Sequence, residues 1–277
     1  LRVKAVRVFR GLMAFLTAIP FRMDESFLDI SARFMFLFPA IGAIIGFLAG
    51  IYCFFTSNVL VLLFGSVNTV MFSGAHQLFF EFAAKGLASF MTVAFLLAVI
   101  GLQHTDGLVD VGNALSIRKA SLKEKMEIAH VWTVTRAGAF LALLVSFFTL
   151  MLIFLTKTDA VIQALIVAEV SAKLAMVTTA WQGTSPPERL EEKRGKGRSF
   201  IDFMRKKHGL YAISLLISLA VGVALLGLCG ALAVAAGILA GGFMILVGKQ
   251  LFGGVSGDIF GATNEIARMF ALLVLVI

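Results

Sequence analysis

Residues 137–156 read AGAFLALLVSFFTLMLIFLT, twenty consecutive positions without one ionisable side chain. Wound as an α-helix, such a run is about 30 Å long, which is the thickness of the hydrocarbon core of a bilayer. Similar apolar runs occupy 33–56, 86–103, 159–180, 210–229, 231–248 and 259–277. Over all 277 residues, 60% are hydrophobic and 14% charged, with a mean hydropathy of +0.97. Soluble domains are about one quarter charged, and a chain of this size has too little interior to hide so much apolar surface. A soluble protein is excluded. The composition predicts an all-α fold: a polytopic integral membrane helical bundle with about seven transmembrane helices, forming one domain over 1–277 in a lipid bilayer.

Three weaker stretches refine this picture. The run 58–72 is short for a span and carries Asn58, Ser66 and Asn68, so it reads as a re-entrant or surface segment. At the start, Lys4, Arg7 and Arg10 fall within about a third of a helical wheel, and Pro20 closes the apolar run that follows. With no A-x-A cleavage site, this reads as an interfacial helix lying on the membrane rather than a signal peptide. The stretch 183–199, with Pro186, Pro187 and a dense charge run, reads as a solvated loop.

The net charge of +8 would raise the question of nucleic acid in a soluble protein. In a membrane protein it reflects basic residues gathered in cytoplasmic loops, and no nucleic-acid partner is expected. The loops 116–136 and 183–208 hold most of these residues, including Arg118, Lys123, Arg136, Arg198 and Lys207. Placing both loops and the basic N-terminus on the cytoplasmic side of a cell membrane requires an even number of spans between each pair. Seven spans, N-terminus in and C-terminus out, meet that requirement. Cys53 and Cys229 lie in apolar stretches and form no disulfide or zinc framework. Trp132 and Trp181 fall where interfacial aromatic belts are expected. The glycines of 221–242 read as sites of close helix packing, which also makes a homo-oligomer a reasonable expectation.

Ionisable side chains near membrane depth are costly and mark function by default. The densest group is His104-Thr105-Asp106-Gly107-Leu108-Val109-Asp110-Val111-Gly112-Asn113. On a helix, Asp106, Asp110 and Asn113 fall within roughly 60° of one another. That stripe of oxygens suits Mg²⁺, whose shell is usually completed by water and substrate phosphate. Gly107 removes bulk where a ligand would approach, and His104 points to the opposite side of an ideal helix. A second group, Gly257 through Glu265, places Asp258 and Glu265 on one face, with Arg268 as an intramembrane partner for Glu265. Arg136, at the entry to a span, reads as either a membrane anchor or a phosphate contact. Glu169 and Lys173, four apart, form an intrahelical pair or line a polar cavity. Carboxylates for a metal beside basic loops for phosphate point to phosphoryl transfer at the membrane surface. The competing reading is the ordinary gathering of cytoplasmic charge. A small-molecule transporter would instead show inverted repeats and polar groups at the bilayer midplane.

Four segments in order resemble the cobalamin synthase family, the adenosylcobinamide-GDP ribazoletransferases. Phe15-Leu16-Thr17-Ala18-Ile19-Pro20 resembles its F-L-T-x-h-P, where h is apolar, and Phe38-Pro39-Ala40-Ile41-Gly42 with Gly46 resembles its F-P-x-h-G-x3-G. His104 to Asp110 resembles H-x-D-G-L-x-D, and Gly257-Asp258 through Glu265 resembles G-D-x-x-G-A-x-x-E. The sequence departs from the pattern at Asn113, where the family has a further Asp, and near Arg136, where Gly138 is kept but an acidic residue is absent. A non-catalytic or altered member is the alternative these departures raise. The D-G-x-x-A-R signature of CDP-alcohol phosphotransferases, with its second pair of spaced acids, is missing.

The resemblance implies a Mg²⁺-dependent transferase that joins GDP-activated adenosylcobinamide to α-ribazole or its 5′-phosphate and releases GMP. The expected nucleophile is the ribose 5′ oxygen of α-ribazole, or its equivalent in the phosphorylated form. In that reading Asp106 and Asp110, with Asn113, hold the metal, and Arg136 neutralises the leaving phosphate. His104 or Asp258 accepts the proton, while Gly107, Gly257 and Glu265 contact substrate.

Overall fold

A computed structural model describes residues 2–21, 27–72, 76–117, 120–129, 134–188 and 196–277. Eleven α-helices, and no strands, occur among the described residues. In chain order they are α1 (Arg2–Leu16), α2 (Phe27–Arg33), α3 (Phe38–Phe72), α4 (Gln77–Ile100), α5 (Gln103–Leu115), α6 (Leu122–Ala129), α7 (Arg136–Leu155), α8 (Val161–Gln182), α9 (Lys196–Met204), α10 (His208–Phe252) and α11 (Gly257–Val276). Six stretches of helix are long and apolar enough to cross a membrane: Met35–Phe72, α4, α7, α8, α10 and α11.

The 45 residues of α10 are two crossings rather than one. Gly227, at φ 56° and ψ −132°, interrupts the helical backbone. A Cβ on Gly222 would sit 2.9 Å from the carbonyl oxygen of Gly230. Eight residues of straight helix span about 12 Å, so this contact requires the chain to double back. The halves 208–226 and 228–252 therefore form a hairpin, which brings the crossing segments to the seven expected from sequence. The backbone at Gly227 is one that L side chains rarely adopt. Gly227→Ala is expected to cost about 1–3 kcal/mol, read as a lowered melting temperature in detergent; an unchanged temperature would show that the turn is not held in this conformation.

The run 58–72 is neither re-entrant nor a separate surface segment. It continues α3, whose 35 residues extend about 52 Å. Nothing in its sequence breaks the helix, because Asn58, Ser66 and Thr69 bond back to carbonyls four residues earlier. Asn68 instead caps the turn, its Oδ1 accepting the His76 N–H at 3.1 Å. The fourth helix also starts earlier than expected, at Gln77, with Glu81 and Lys85 tolerated in its first turns. Within 183–199, described for 183–188 and 196–199, the expected solvated loop gives way to α9 from Lys196, whose Phe200, Ile201 and Met204 are buried.

The bundle is organised around α8, which is buried along most of its length. Glycines allow two neighbours to approach its backbone. On α3, Gly42 lies against Glu169, Gly46 against Leu165 and Ile166, and Gly50 against Ile162. From the second half of α10, Gly237 meets Ser171 and Gly241 meets Ala175. In lipid, where apolar burial drives helix association weakly, such small-residue seams hold a bundle together by close packing. The F-P-x-h-G-x3-G segment is one of these seams. Pro39 sits in the first turn of α3, where the missing N–H breaks no helical bond.

Candidate functional site

The chain turns from α4 into α5 at Gly101, whose φ of 81° suits glycine. Ala18, just after α1, donates its N–H to the Val99 carbonyl at 2.7 Å and fixes α1 against this turn. The helix α5 then packs across the start of α11. A Cβ on Gly261 would lie 3.0 Å from the His104 Cα, and one on Gly107 would be 3.0 Å from the Ala262 nitrogen. The two acidic segments, some 150 residues apart in sequence, thus meet at one end of the bundle.

Between them lies a cavity of about 400 Å³. Gln103, His104 and Asp106 reach it from α5, and Gly257, Asp258, Phe260 and Gly261 from α11. Phe15 of α1, Met176 of α8, and Gly197 and Phe200 of α9 complete the wall. The aromatic rings form a cluster: Phe15 and Phe200 have centroids 4.6 Å apart, and Phe200 and Phe260 6.0 Å. Arg198 anchors α9 by donating from Nη2 to the Pro186 carbonyl at 2.7 Å and pairing with Glu188 at 3.4 Å. A groove of about 620 Å³ at the α3–α4 connection is larger, and among its described lining residues Glu81 alone is charged.

Not every residue expected at the site reaches the cavity. Asp106 and Asp258 line it, as do His104 and Gly257. Ser256 caps α11, accepting the Ile259 N–H, and donates to Asp258 Oδ2 at 3.1 Å. Asp110, one turn beyond Asp106, is half-buried outside the lining. Asn113 is buried, and its Oδ1 accepts both the backbone N–H of Thr135 at 3.0 Å and its hydroxyl at 2.7 Å. That oxygen therefore positions the start of α7 and is turned away from the cavity. Arg136, the first residue of α7, is exposed beside this junction and outside the lining. Gly107 serves as a packing contact with α11. His130, Trp132 and Thr133 lie outside the described residues.

His104 is 7% exposed, and its Nδ1 has no hydrogen-bond partner among the described residues. Burial pushes the imidazole down to about 3, with the positive charges of Lys173 and Arg268 acting in the same direction and Glu169 opposing them. It is a neutral ring at any physiological pH.

Glu265 does not line the cavity either; it belongs to a buried ring beneath it. Lys173 donates from Nζ to Glu169 Oε2 at 3.0 Å and to Asn264 Oδ1 at 2.6 Å. Asn264 donates to Glu265 Oε1 at 3.0 Å, and Arg268 closes the circuit by pairing with both Glu265 and Glu169. Two cations and two anions balance, and all five side chains are buried. The two pairs expected within α8 and within α11 are thereby one network joining the helices.

Among the described residues no group of three or more His, Cys, Asp or Glu is arranged to hold a metal. Mg²⁺ does not need one, because it keeps several waters and takes one or two carboxylates together with substrate phosphate. Asp106 and Asp258 fit that donor set. Sequence reasoning missed Met176, Gly197 and Phe200. The signal for the last was available: Phe200, Ile201, Phe203 and Met204 recur at helical spacing within an otherwise basic stretch.

The family description cobalamin-5-phosphate synthase matches residues 59–276. An adenosylcobinamide-GDP ribazoletransferase of Methanocella arvoryzae is 28% identical over 95% of this chain and 92% of its own length. Proteins of the same name from Halorubrum lacusprofundi and Methanococcoides burtonii are 30% and 26% identical, covering 95% and 97% of this chain and 94% and 91% of their own lengths. No solved structure matches the chain.

Proposed function

Because the chain belongs to the cobalamin-5-phosphate synthase family, we propose that the cavity between α5, α9 and α11 is where it carries out its relatives' reaction. It is a multi-pass membrane transferase that joins GDP-activated adenosylcobinamide to α-ribazole and releases GMP, the last assembly step of cobalamin. The observation that carries the site is the meeting of Asp106 and Asp258 in one cavity walled by Phe15, Phe200 and Phe260. About 400 Å³ suits the phosphate-bearing portion of such a substrate, while the bulky, amphiphilic corrinoid rests against the aromatic mouth.

In the reaction a ribose hydroxyl attacks the diphosphate phosphorus nearer to cobinamide. One O–P bond forms, the P–O bond to GMP breaks, and the hydroxyl proton passes to a base. The family description names a 5-phosphate product. This favours α-ribazole 5′-phosphate as acceptor, attacking through another ribose hydroxyl rather than the expected 5′ oxygen. Asp258, oriented by Ser256, is the base, the role a positioned aspartate has in kinases. His104, too weakly basic to take that proton, contributes a hydrogen bond. Mg²⁺, when held by Asp106 together with water and substrate phosphate, would polarise the diphosphate and neutralise charge on the leaving GMP. Asp106 orients that donor set, and the aromatic wall keeps water from competing with the ribose hydroxyl. Asp110, one turn beyond Asp106 on α5, and Arg136, at the start of α7, lie outside the lining of this cavity.

Basic residues near this end, Arg198, Arg205, Lys206 and Lys207, support a cytoplasmic orientation of this end in a cell membrane. Seven crossings then put the C-terminus outside. The test is a liposome-reconstituted assay with adenosylcobinamide-GDP and α-ribazole 5′-phosphate, following GMP. Turnover with Mg²⁺ that disappears with EDTA is the expected result. Folded protein that binds the corrinoid and releases no GMP would overturn the reading.

A further inference from the structure

Two helices begin at the cavity. The first turn of α5 supplies Gln103 and His104 to its wall, and the first turn of α11 supplies Gly257. Leu102 precedes α5 without any side-chain cap, and the first main-chain bond there runs from the Asp106 N–H to the Leu102 carbonyl. The N–H groups of Gln103 and His104 therefore have no helical acceptor. In α11 the Phe260 N–H takes the Ser256 carbonyl and the Ile259 N–H takes the Ser256 hydroxyl, which leaves the Gly257 N–H without an acceptor among the described residues. Each helix directs its positive dipole end at the same space. A second, independent feature points the same way: His104, a polar side chain 7% exposed, lines the cavity, and its Nδ1 has no hydrogen-bond partner among the described residues.

We propose that the cavity seats a diphosphate through main-chain N–H groups at the converging starts of α5 and α11, with His104 as the side-chain donor, and not through basic side chains. The proposal rests on the reading above and assigns the substrate's diphosphate to a place within it. Paired helix N-termini are well suited to this ligand, since they offer preorganised donors and fixed positive potential. Asp106 and Asp258 lie in the first turns of the same two helices, where a divalent cation accompanying the diphosphate would offset their charge. Gly257 is open on its side-chain face, so a side chain added there meets no neighbouring atom.

Gly257 also provides a clean test. It is the first residue of α11, the helical position at which proline is best tolerated, and Ser256 before it is extended at φ −99° and ψ 179°, as a residue preceding proline should be. Gly257→Pro removes one N–H of the seat. Gly257→Ala and Gly257→Val keep that N–H and add bulk into open space. The probe is inorganic pyrophosphate with Mg²⁺, titrated calorimetrically into the full-length protein in phosphatidylcholine nanodiscs. Binding by the parent protein should weaken about tenfold or more in Gly257→Pro and less than threefold in Gly257→Ala and Gly257→Val. His104→Leu gives the second arm if the proline variant does not fold: it should weaken binding at least tenfold, with part of the affinity regained in His104→Gln.

No pyrophosphate binding by folded parent protein overturns the proposal, and so does equal binding by Gly257→Pro. A loss produced instead by Arg136→Gln or Arg198→Gln overturns it in favour of basic side chains. Repeating the titration in phosphatidylglycerol nanodiscs separates the substrate's diphosphate from a lipid phosphate: unchanged affinity supports the former, and displacement by the lipid overturns the assignment. The outcome is separable from that of the GMP assay. Turnover without pyrophosphate binding would leave the transferase reading intact and remove this seat, whereas N–H-dependent binding without turnover would do the reverse.

Discussion

Glu169→Gln should be among the most damaging single substitutions in the protein, at about 3–5 kcal/mol of stability. Glu169 is completely buried and accepts from both Lys173 and Arg268. Removing its charge leaves two cations facing one carboxylate in a region buried from solvent. The cost arises less from the lost contact than from the uncompensated charge left behind. Lys173→Met combined with Glu169→Gln restores the balance, with one cation and one anion remaining, and should recover a large part of the loss. Thermal unfolding of the two single variants and the double variant in detergent gives the coupling directly. A single-variant cost below about 1 kcal/mol, typical of an exposed pair, would mean that water reaches the ring.

The largest effect on activity is expected at the two cavity carboxylates. Asp106→Asn and Asp258→Asn should each lower kcat by about 10²–10⁴-fold, the usual range for losing a positioned acid–base group. Both line the cavity, whereas Asp110 does not. Asp110→Asn should accordingly retain more than about one tenth of parent turnover. Groups that act on one reacting phosphate as a unit are not additive, so the Asp106→Asn/Asp258→Asn double variant should be little worse than the weaker single. Multiplicative losses would mean that the two carboxylates act independently, and a strong effect at Asp110 would move the reacting centre along α5.

The position of Asn113 shows how pattern and packing can diverge. Helical spacing correctly places it one face-turn beyond Asp110, but spacing is blind to what lies across that face. Thr135 lies there, at the start of α7, and its N–H and hydroxyl both take the Asn113 oxygen. Similarly, the apolar residues of 58–72 made a separate short segment seem reasonable because polar side chains interrupt them. Those side chains satisfy themselves on their own helix and leave α3 unbroken.

Composition alone determined that the chain is a helical membrane bundle, because backbone groups in hydrocarbon must be paired within a helix or a closed barrel and long uncharged runs choose the helix. The same logic made seven crossings legible, but it put the break between 210–229 and 231–248, whereas the backbone turns at Gly227. The acidic residues were visible as costly charges. What the sequence left open was which of them meet. Only the tertiary structure brings α5 across the first turn of α11, so that Asp106 and Asp258 share a cavity while Asp110, Asn113 and Glu265 do not. It also joins Glu169 and Lys173 to Glu265 and Arg268, because two neutralised pairs on facing helices are more stable as one closed ring than as separate buried dipoles. Pairing within a helix follows from spacing, but pairing between helices depends on the glycine seams of α3 and α10 that fix where α8 lies.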